Sequence, residues 1–285
     1  MLLTIDDLKA EGWQNYLPHI HQLGDWYTEF LRRDTANRNI VVELRDGLER
    51  KPGVHASEVS GCLRRLVYTL GGKVEKLSRP EDVDVNMKMR MRLGTAMHAV
   101  LQDELQRMCV MFGAGYVEFE DEVEISPELG GFAAKHNCHS HGDGIFTFYT
   151  QQLEPCIRVG LEIKTASGPE FEKMKSPKGY NVDQAQIYLE CLDLPLMWFL
   201  YYNKSNSNWT KPKAPWLITH DPKHVKRLES KIVLAYSWAR RGELPEREEG
   251  MPCGWCPFAH DCKPAYLRMK QSRRKGPPKP GEFKK

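Results

Sequence analysis

The stretch GLEIKTASG, residues 160–168, decides the fold and the chemistry that this sequence predicts. Its first half has the apolar residues of a strand, and its second half is polar and turn-prone. Alternate side chains of a strand point to the same face, so Glu162 and Lys164 share a face and Ile163 points into the core. A carboxylate and an ammonium group therefore lie side by side near the end of a strand. On its own, such a pair is usually a solvated ion pair.

A second carboxylate begins the preceding predicted strand, where Asp143 stands in HGDGIF. If the two strands are adjacent and antiparallel, Asp143 lies beside Glu162 and Lys164. Two converging carboxylates suit Mg²⁺ or Mn²⁺, which prefer oxygen ligands and keep waters for a substrate phosphate. An ammonium group beside the cation can orient or deprotonate water and stabilise charge in the transition state. These residues have the parts for phosphodiester hydrolysis.

Two predicted helices add polar side chains to this set. Gln184 and Tyr188, four residues apart on a helix predicted over 180–192, share one face and could hold the lysine, the water or a DNA phosphate. His98, on a helix predicted over 93–111, could supply a nitrogen ligand or a phosphate contact.

The order of predicted elements is helix, three strands, helix, strand, which is typical of an α/β domain with a sheet between helices. We expect a helical N-terminal extension over residues 1–50, one domain over 51–265 and a basic disordered tail over 266–285. The tail carries eight Lys and Arg from residue 268 onward, with Glu282 as its one acid. It is either a solubilising terminus or an arm that binds phosphate.

The 285 residues, 41% hydrophobic and 28% charged, describe a globular protein. There is no apolar run of about 18 residues, and the N-terminus is acidic where a signal peptide is basic. We therefore expect a cytoplasmic protein without a membrane segment.

Eight cysteines in a chain expected in the cytoplasm favour metal or redox chemistry over disulfides. Cys253, Cys256 and Cys262 are spaced C-x₂-C-x₅-C and need a fourth ligand, either His260 in a zinc site or the remote Cys62. Cys62 lies early on a helix expected to begin near Ser57. The other cysteines lack ligand spacing and are predicted to be buried small hydrophobes: Cys109, Cys138, Cys156 and Cys191.

Four motifs occur in one order along the chain: G-x-x-x-H ending at His98, G-D-G around Asp143, E-I-K from Glu162 to Lys164, and Q-x-x-x-Y from Gln184 to Tyr188. Together they resemble the RecB-type nucleases of the PD-(D/E)XK superfamily. The resemblance implies a restriction-endonuclease-like core, with a central mixed sheet flanked by helices. Gly142 stands where the superfamily has proline.

The resemblance also implies the residue roles. The metal ligands would be His98, Asp143, Glu162 and the carbonyl of Ile163, and catalysis would rest on Asp143, Glu162, Lys164, Gln184 and Tyr188, with Mg²⁺ or Mn²⁺ bound.

The cysteines resemble the iron-sulfur subgroup of these nucleases, which includes the AddB nuclease domain and the CRISPR-associated Cas-four enzymes. In that subgroup one cysteine before the nuclease motifs and three after them hold a [4Fe-4S] cluster that staples the ends of the fold. The matching residues are Cys62, Cys253, Cys256 and Cys262. Zinc remains the alternative, because thiolates suit both.

The implied function is a metal-dependent DNA exonuclease acting on single-stranded ends in recombination, repair or phage DNA metabolism. Arg64 and Arg65 would contact the phosphate backbone, and Tyr180 or Trp255 could stack a base. A recombination or replication protein is a possible partner, and the oligomeric state is open. The alternatives are a CRISPR adaptation nuclease that processes prespacers, a catalytically inactive DNA-binding module, and a zinc-stapled protein without a nuclease fold.

Overall fold

The structure, a computed structural model, describes residues 17–34, 51–71, 85–113, 116–150, 153–205 and 216–246, with 248, 256, 258 and 262. Its centre is a five-stranded mixed sheet in the order β1-β2-β3-β4-β5. The β3/β4 pair is parallel and the other three pairs are antiparallel. The strands are β1 Val117–Ile125, β2 Ser140–Tyr149, β3 Pro155–Ala166, β4 Leu196–Asn203 and β5 Trp216–Thr219.

Helices cover both faces of this sheet, so the predicted α/β class with a central mixed sheet is confirmed. The helices are α1 Leu17–Arg33, α2 Ala56–Val59, α3 Leu63–Leu70, α4 Val85–Phe112, α5 Gly131–His136, α6 Gly168–Lys173, α7 Gly179–Leu192 and α8 Pro222–Arg241, with a 3-10 turn at Pro127–Leu129.

The helix expected to begin near Ser57 is two helices, because the chain turns at Gly61. Gly61 N–H donates to the carbonyl of Glu58, and Cys62 has the extended conformation of an N-cap before α3. Cys62 therefore lies just before a helix instead of within one. The predicted helix over 93–111 begins earlier, at Val85, whereas the one over 180–192 is confirmed within one residue by α7.

The sheet divides the interior into two hydrophobic cores. On one face, α1 and α4 bury residues such as Phe30 and Leu101 against Phe146 and Ile163. On the other face, α2, α3, α7 and α8 pack around Phe199. The strand β4 is buried on both faces, which explains its unbroken apolar sequence LMWFLYYN.

The helix α1 belongs to the first of these cores, with Ile20, Leu23, Tyr27 and Phe30 fully buried. The domain boundaries at residues 50 and 265 stay predictions, and the basic tail lies outside the described residues. No helix in the described part of the chain combines the length and apolar character needed to cross a membrane.

Candidate active site

The site forms where β2 and β3 separate. Their ladder ends at the pair Gly144 and Leu161, and the next contact between the strands uses a side chain instead of the backbone. Asp143 Oδ2 accepts a hydrogen bond of 2.6 Å from the backbone N–H of Ile163. Because the N–H and C=O of a strand residue point to the same neighbour, the Ile163 carbonyl also faces this gap. The predicted antiparallel pairing that brings Asp143 to β3 is confirmed.

Glu162 is buried on the opposite side of β3 from the Ile163 side chain, with only 1% of its surface exposed. The Lys164 ammonium pairs with Glu162 Oε1, whereas Oε2 accepts no hydrogen bond from a described residue. Burial and, to a smaller extent, the charge of Asp143 raise the pKa of Glu162 to about 7, against the lowering effect of Lys164. The gap thus holds more negative charge than its partners stabilise.

Lys164 is held by the Q-x-x-x-Y pair of α7. Its Nζ lies 3.4 Å from Gln184 Oε1, and Gln184 Nε2 donates a 2.8 Å hydrogen bond to the Tyr188 hydroxyl. Burial lowers the pKa of Lys164, but the charges of Glu162 and Asp143 outweigh burial and raise it overall. Burial raises the pKa of Tyr188 well above its usual value. The arrangement is a cationic lysine oriented by a neutral amide and hydroxyl.

His98 closes the site from α4, on the side open to solvent. Its Nδ1 lies 3.2 Å from Asp143 Oδ1, and both side chains are partly exposed. Burial lowers the pKa of His98, but the hydrogen bond to Asp143 and its charge raise it more. Asp143 therefore contacts α4 through one oxygen and β3 through the other.

The structure brings together all seven residues predicted for the active site: His98, Asp143, Glu162, Ile163, Lys164, Gln184 and Tyr188. Within the described ranges, no three His, Cys, Asp or Glu side chains are already arranged around a common metal position. The carboxylates contact His98 and Lys164 instead. Two carboxylates, a carbonyl and an imidazole nevertheless form a donor set that fits Mg²⁺ or Mn²⁺. Glu162 Oε2, which accepts no hydrogen bond from a described residue, is available to such a cation.

Gln102 and Glu122 border this site and were missed from the sequence. Gln102 Nε2 donates to the Asp143 carbonyl at 2.8 Å and to Glu122 Oε1 at 3.1 Å. Glu122 has a φ of 49°, and the β1/β2 register passes from Asp121 to Val123 without pairing it. The available signal was the spacing of Gln102, four residues after His98 and so on the same helix face.

The cysteines predicted as ligands are only partly described. Cys62 caps α3, Cys256 and Cys262 are partly exposed, and Cys253 lies outside the described residues. The C-terminal segment packs against α3 at two points. Leu63 N–H, next to Cys62, donates to Glu248 at 3.0 Å, and the ring of Phe258 stacks on Tyr68 with 5.0 Å between centroids.

The other cysteines behave as core residues. Cys109, Cys138 and Cys156 are buried as predicted, whereas Cys191 is only partly buried and packs against the edge of a core. Burial raises the pKa of Cys109 to about 12, which keeps it a protonated thiol.

No protein-family model and no curated protein matches this chain. Solved structures that are similar to it at low identity include the three that follow. The protein SSO0001 has 16% identity and a TM-score of 0.45, over 84% of this chain and 93% of its own. An alkaline exonuclease, LHK-Exo from Laribacter hongkongensis, has 13% identity and a TM-score of 0.45, over 79% of this chain and 94% of its own. Its complex with dAMP has 13% identity and a TM-score of 0.43, over 67% and 89%.

Proposed function

We propose that this protein is a Mg²⁺- or Mn²⁺-dependent deoxyribonuclease. The observation that carries the proposal is the surplus of acid at the β2/β3 gap. Asp143 accepts from Ile163 N–H there, Glu162 pairs with Lys164 through Oε1, and Glu162 Oε2 is buried without a hydrogen bond from a described residue. Burying such charge costs free energy unless a cation compensates it.

The residues around the gap would divide the chemistry between them. A bound Mg²⁺ or Mn²⁺, held by His98, Asp143, Glu162 and the Ile163 carbonyl, would supply Lewis-acid stabilisation of charge on the phosphate. Lys164 would place its positive charge where the phosphate becomes more negative and would orient the attacking water. Gln184 and Tyr188 would keep the lysine in that position.

A single-stranded DNA end is the substrate that we propose. Tyr180 precedes Gln184 by one helical turn on α7, so the two share a helix face, and its ring is 54% exposed. The ammonium of Lys178, which also pairs with Glu170, lies 5.6 Å from the centre of that ring. An exposed aromatic ring beside a cation is suited to stack a base and contact its phosphate.

The same proposal places the enzyme in recombination, repair or phage DNA metabolism, with DNA and a recombination or replication protein as partners. CRISPR prespacer processing uses the same chemistry and is the alternative pathway. A basic tail supports backbone contact in either case.

Cleavage of end-labelled oligonucleotides tests the activity. Wild-type protein with Mg²⁺ or Mn²⁺ should shorten linear single strands, leave circular single strands intact and do nothing in a chelator. Asp143→Asn should bind the oligonucleotide without cutting it. A matched control is Glu118→Gln, which changes a β1 carboxylate bonded to the hydroxyl of Tyr149. Binding without cleavage by the wild type would favour an inactive DNA-binding module, and equal cleavage by both variants would refute the site.

We also propose a [4Fe-4S] cluster on Cys62, Cys253, Cys256 and Cys262 as a structural staple. The packing of Glu248 and Phe258 on α3 supports it, because it holds the C-terminal segment against the helix that Cys62 caps. The four thiolates, one to each iron, would leave no coordination position for substrate.

Anaerobic purification with iron, sulfide and zinc assays tests the cluster. The expected protein is brown and loses its iron in Cys62→Ala, whereas Cys191→Ala, another partly buried cysteine, keeps it. A colourless protein that holds one zinc ion would show that the cysteines bind zinc and not an iron-sulfur cluster. Iron retained in Cys62→Ala would remove Cys62 from the ligand set.

A further inference from the structure

We propose that Gln102 is a positioning residue that fixes Asp143 for cation binding. The proposal rests on the nuclease function above and adds a residue that the four motifs do not include. Gln102 is 4% exposed and lies on the buried side of α4. Its amide nitrogen donates to both the Asp143 carbonyl and Glu122 Oε1, at 2.8 and 3.1 Å.

The helix α4 holds Asp143 at two points. His98, one turn before Gln102, contacts the carboxylate, while Gln102 binds the backbone carbonyl of the same residue. Contacts with one helix, α4, thus hold both the side chain and the main chain of Asp143. Such a pair of contacts fixes the direction of the carboxylate as well as its place.

This support is needed because both ladders of β2 are interrupted at Asp143. The β2/β3 ladder ends at Gly144, and the β1/β2 register skips the position opposite Asp143, where Glu122 adopts its positive φ. Gln102 bridges that interruption with the two N–H groups of one amide. An amide does this without adding charge next to two acids, which a Glu or Lys at position 102 would do.

Gln186 provides a matched control. It is 2% exposed, donates to the Thr219 carbonyl at 2.8 Å and accepts from Asp221 N–H at 2.8 Å. Gln102→Met and Gln186→Met each delete two hydrogen bonds of a buried glutamine at nearly constant volume. A purely structural role predicts the same result for both, a lower melting temperature and unchanged cation binding.

The test is a titration of the full-length protein with Mn²⁺ in the absence of DNA, with free Mn²⁺ followed by electron paramagnetic resonance. Gln102→Met should raise the Mn²⁺ Kd by about 10- to 100-fold, as for other residues that orient metal ligands. Gln186→Met should bind like the wild type. Saturating Mn²⁺ should restore cleavage by Gln102→Met, because its catalytic groups are intact.

The proposal is overturned if folded Gln102→Met binds Mn²⁺ as tightly as Gln186→Met. Should Gln102→Met fail to fold, Gln102→Asn carries the test, because it keeps the amide but withdraws it by one methylene. An unchanged Kd in folded Gln102→Asn overturns the proposal as well. Asp143→Asn in the same titration separates the two failures. If it too binds like the wild type, the cation site itself is wrong; if it alone loses binding, only the role of Gln102 is wrong.

Discussion

Two glutamates of this protein are equally buried but differently surrounded. Glu58 and Glu162 are each 1% exposed, and each contacts a cation of its own chain, Arg65 at 3.0 Å and Lys164 respectively. Arg65 and Glu58 link α3 to α2 across the turn at Gly61. At Glu162 a second acid, Asp143, enters the same gap.

This difference distinguishes a structural ion pair from a cation-binding site. The pair of Glu58 and Arg65 joins two helices. Two acids that share one lysine and a partly exposed histidine leave negative charge that a divalent cation can neutralise. The following changes test that distinction, beginning with the largest expected effect.

Replacing each glutamate by glutamine should have opposite consequences. Glu162→Gln should lower kcat by about a thousandfold or more, since the cation supplies several kcal/mol of transition-state stabilisation. Its melting temperature should not fall, because a neutral amide is easier to bury. Glu58→Gln should lower the melting temperature and keep kcat, because it removes the buried carboxylate that Arg65 contacts at 3.0 Å. If Glu162→Gln and Glu58→Gln changed the melting temperature and kcat in the same way, the distinction between the two glutamates would be wrong.

Replacing the lysine should separate binding from catalysis. Lys164→Met should lower kcat by about 10²- to 10³-fold, the cost of deleting one preorganised charge stabiliser. Mn²⁺ binding should stay equal or become tighter, because the acids lose their internal cation. The control is Lys135→Met, which removes an exposed lysine that pairs with Glu229 of α8, and it should keep kcat. Weaker Mn²⁺ binding in Lys164→Met would contradict the claim that Asp143 and Glu162 carry more negative charge than their partners stabilise.

Substrate affinity should respond to Tyr180, which lies one helical turn before Gln184 on α7. Tyr180→Ala should raise KM for single strands by about fivefold or more at constant kcat, because stacking contributes about 1–3 kcal/mol per base. Tyr180→Phe should behave like the wild type. Tyr116→Ala removes another exposed ring, at the opposite end of β2 from Asp143, and should change nothing. Equal KM values in both alanine variants would show that Tyr180 does not contact DNA.

A third acid, Glu104, has a hydroxyl partner and should show the smallest effect. Tyr27 donates a 2.5 Å hydrogen bond to it, while burial raises its pKa overall. A folded-state pKa above the unfolded value gives stability that is complete below the unfolded pKa and is lost as pH rises through the folded one. Tyr27→Phe removes a hydrogen bond that favours the ionised form of Glu104. The variant should therefore lose more stability than the wild type as the pH rises. Denaturant unfolding should show a deficit of about 1 kcal/mol at pH 8 that shrinks toward pH 4; a deficit independent of pH would contradict this.

The sequence predicted the parts of the site that follow from regular periods. Alternation along β3 placed Glu162 beside Lys164, the antiparallel pairing brought Asp143 to them, and helical spacing aligned Gln184 with Tyr188. These relations depend on neighbouring residues in one element or on adjacent strands.

Contacts between distant elements could not be predicted in this way. The positive φ of Glu122 and its bond to Gln102 depend on how α4 packs on β1 and β2. Arg65, expected on DNA phosphate, pairs with buried Glu58, because the turn at Gly61 brings α3 back over α2. Local patterns do not encode that return of the chain.

The most direct test of the cation-dependent site compares wild type and Glu162→Gln on one end-labelled single strand, with Mg²⁺ and with a chelator. Shortened products from the wild type in Mg²⁺ alone, with none from Glu162→Gln at equal folded protein, are the predicted result. Products from Glu162→Gln at the wild-type rate, or from the wild type in the chelator, would contradict it.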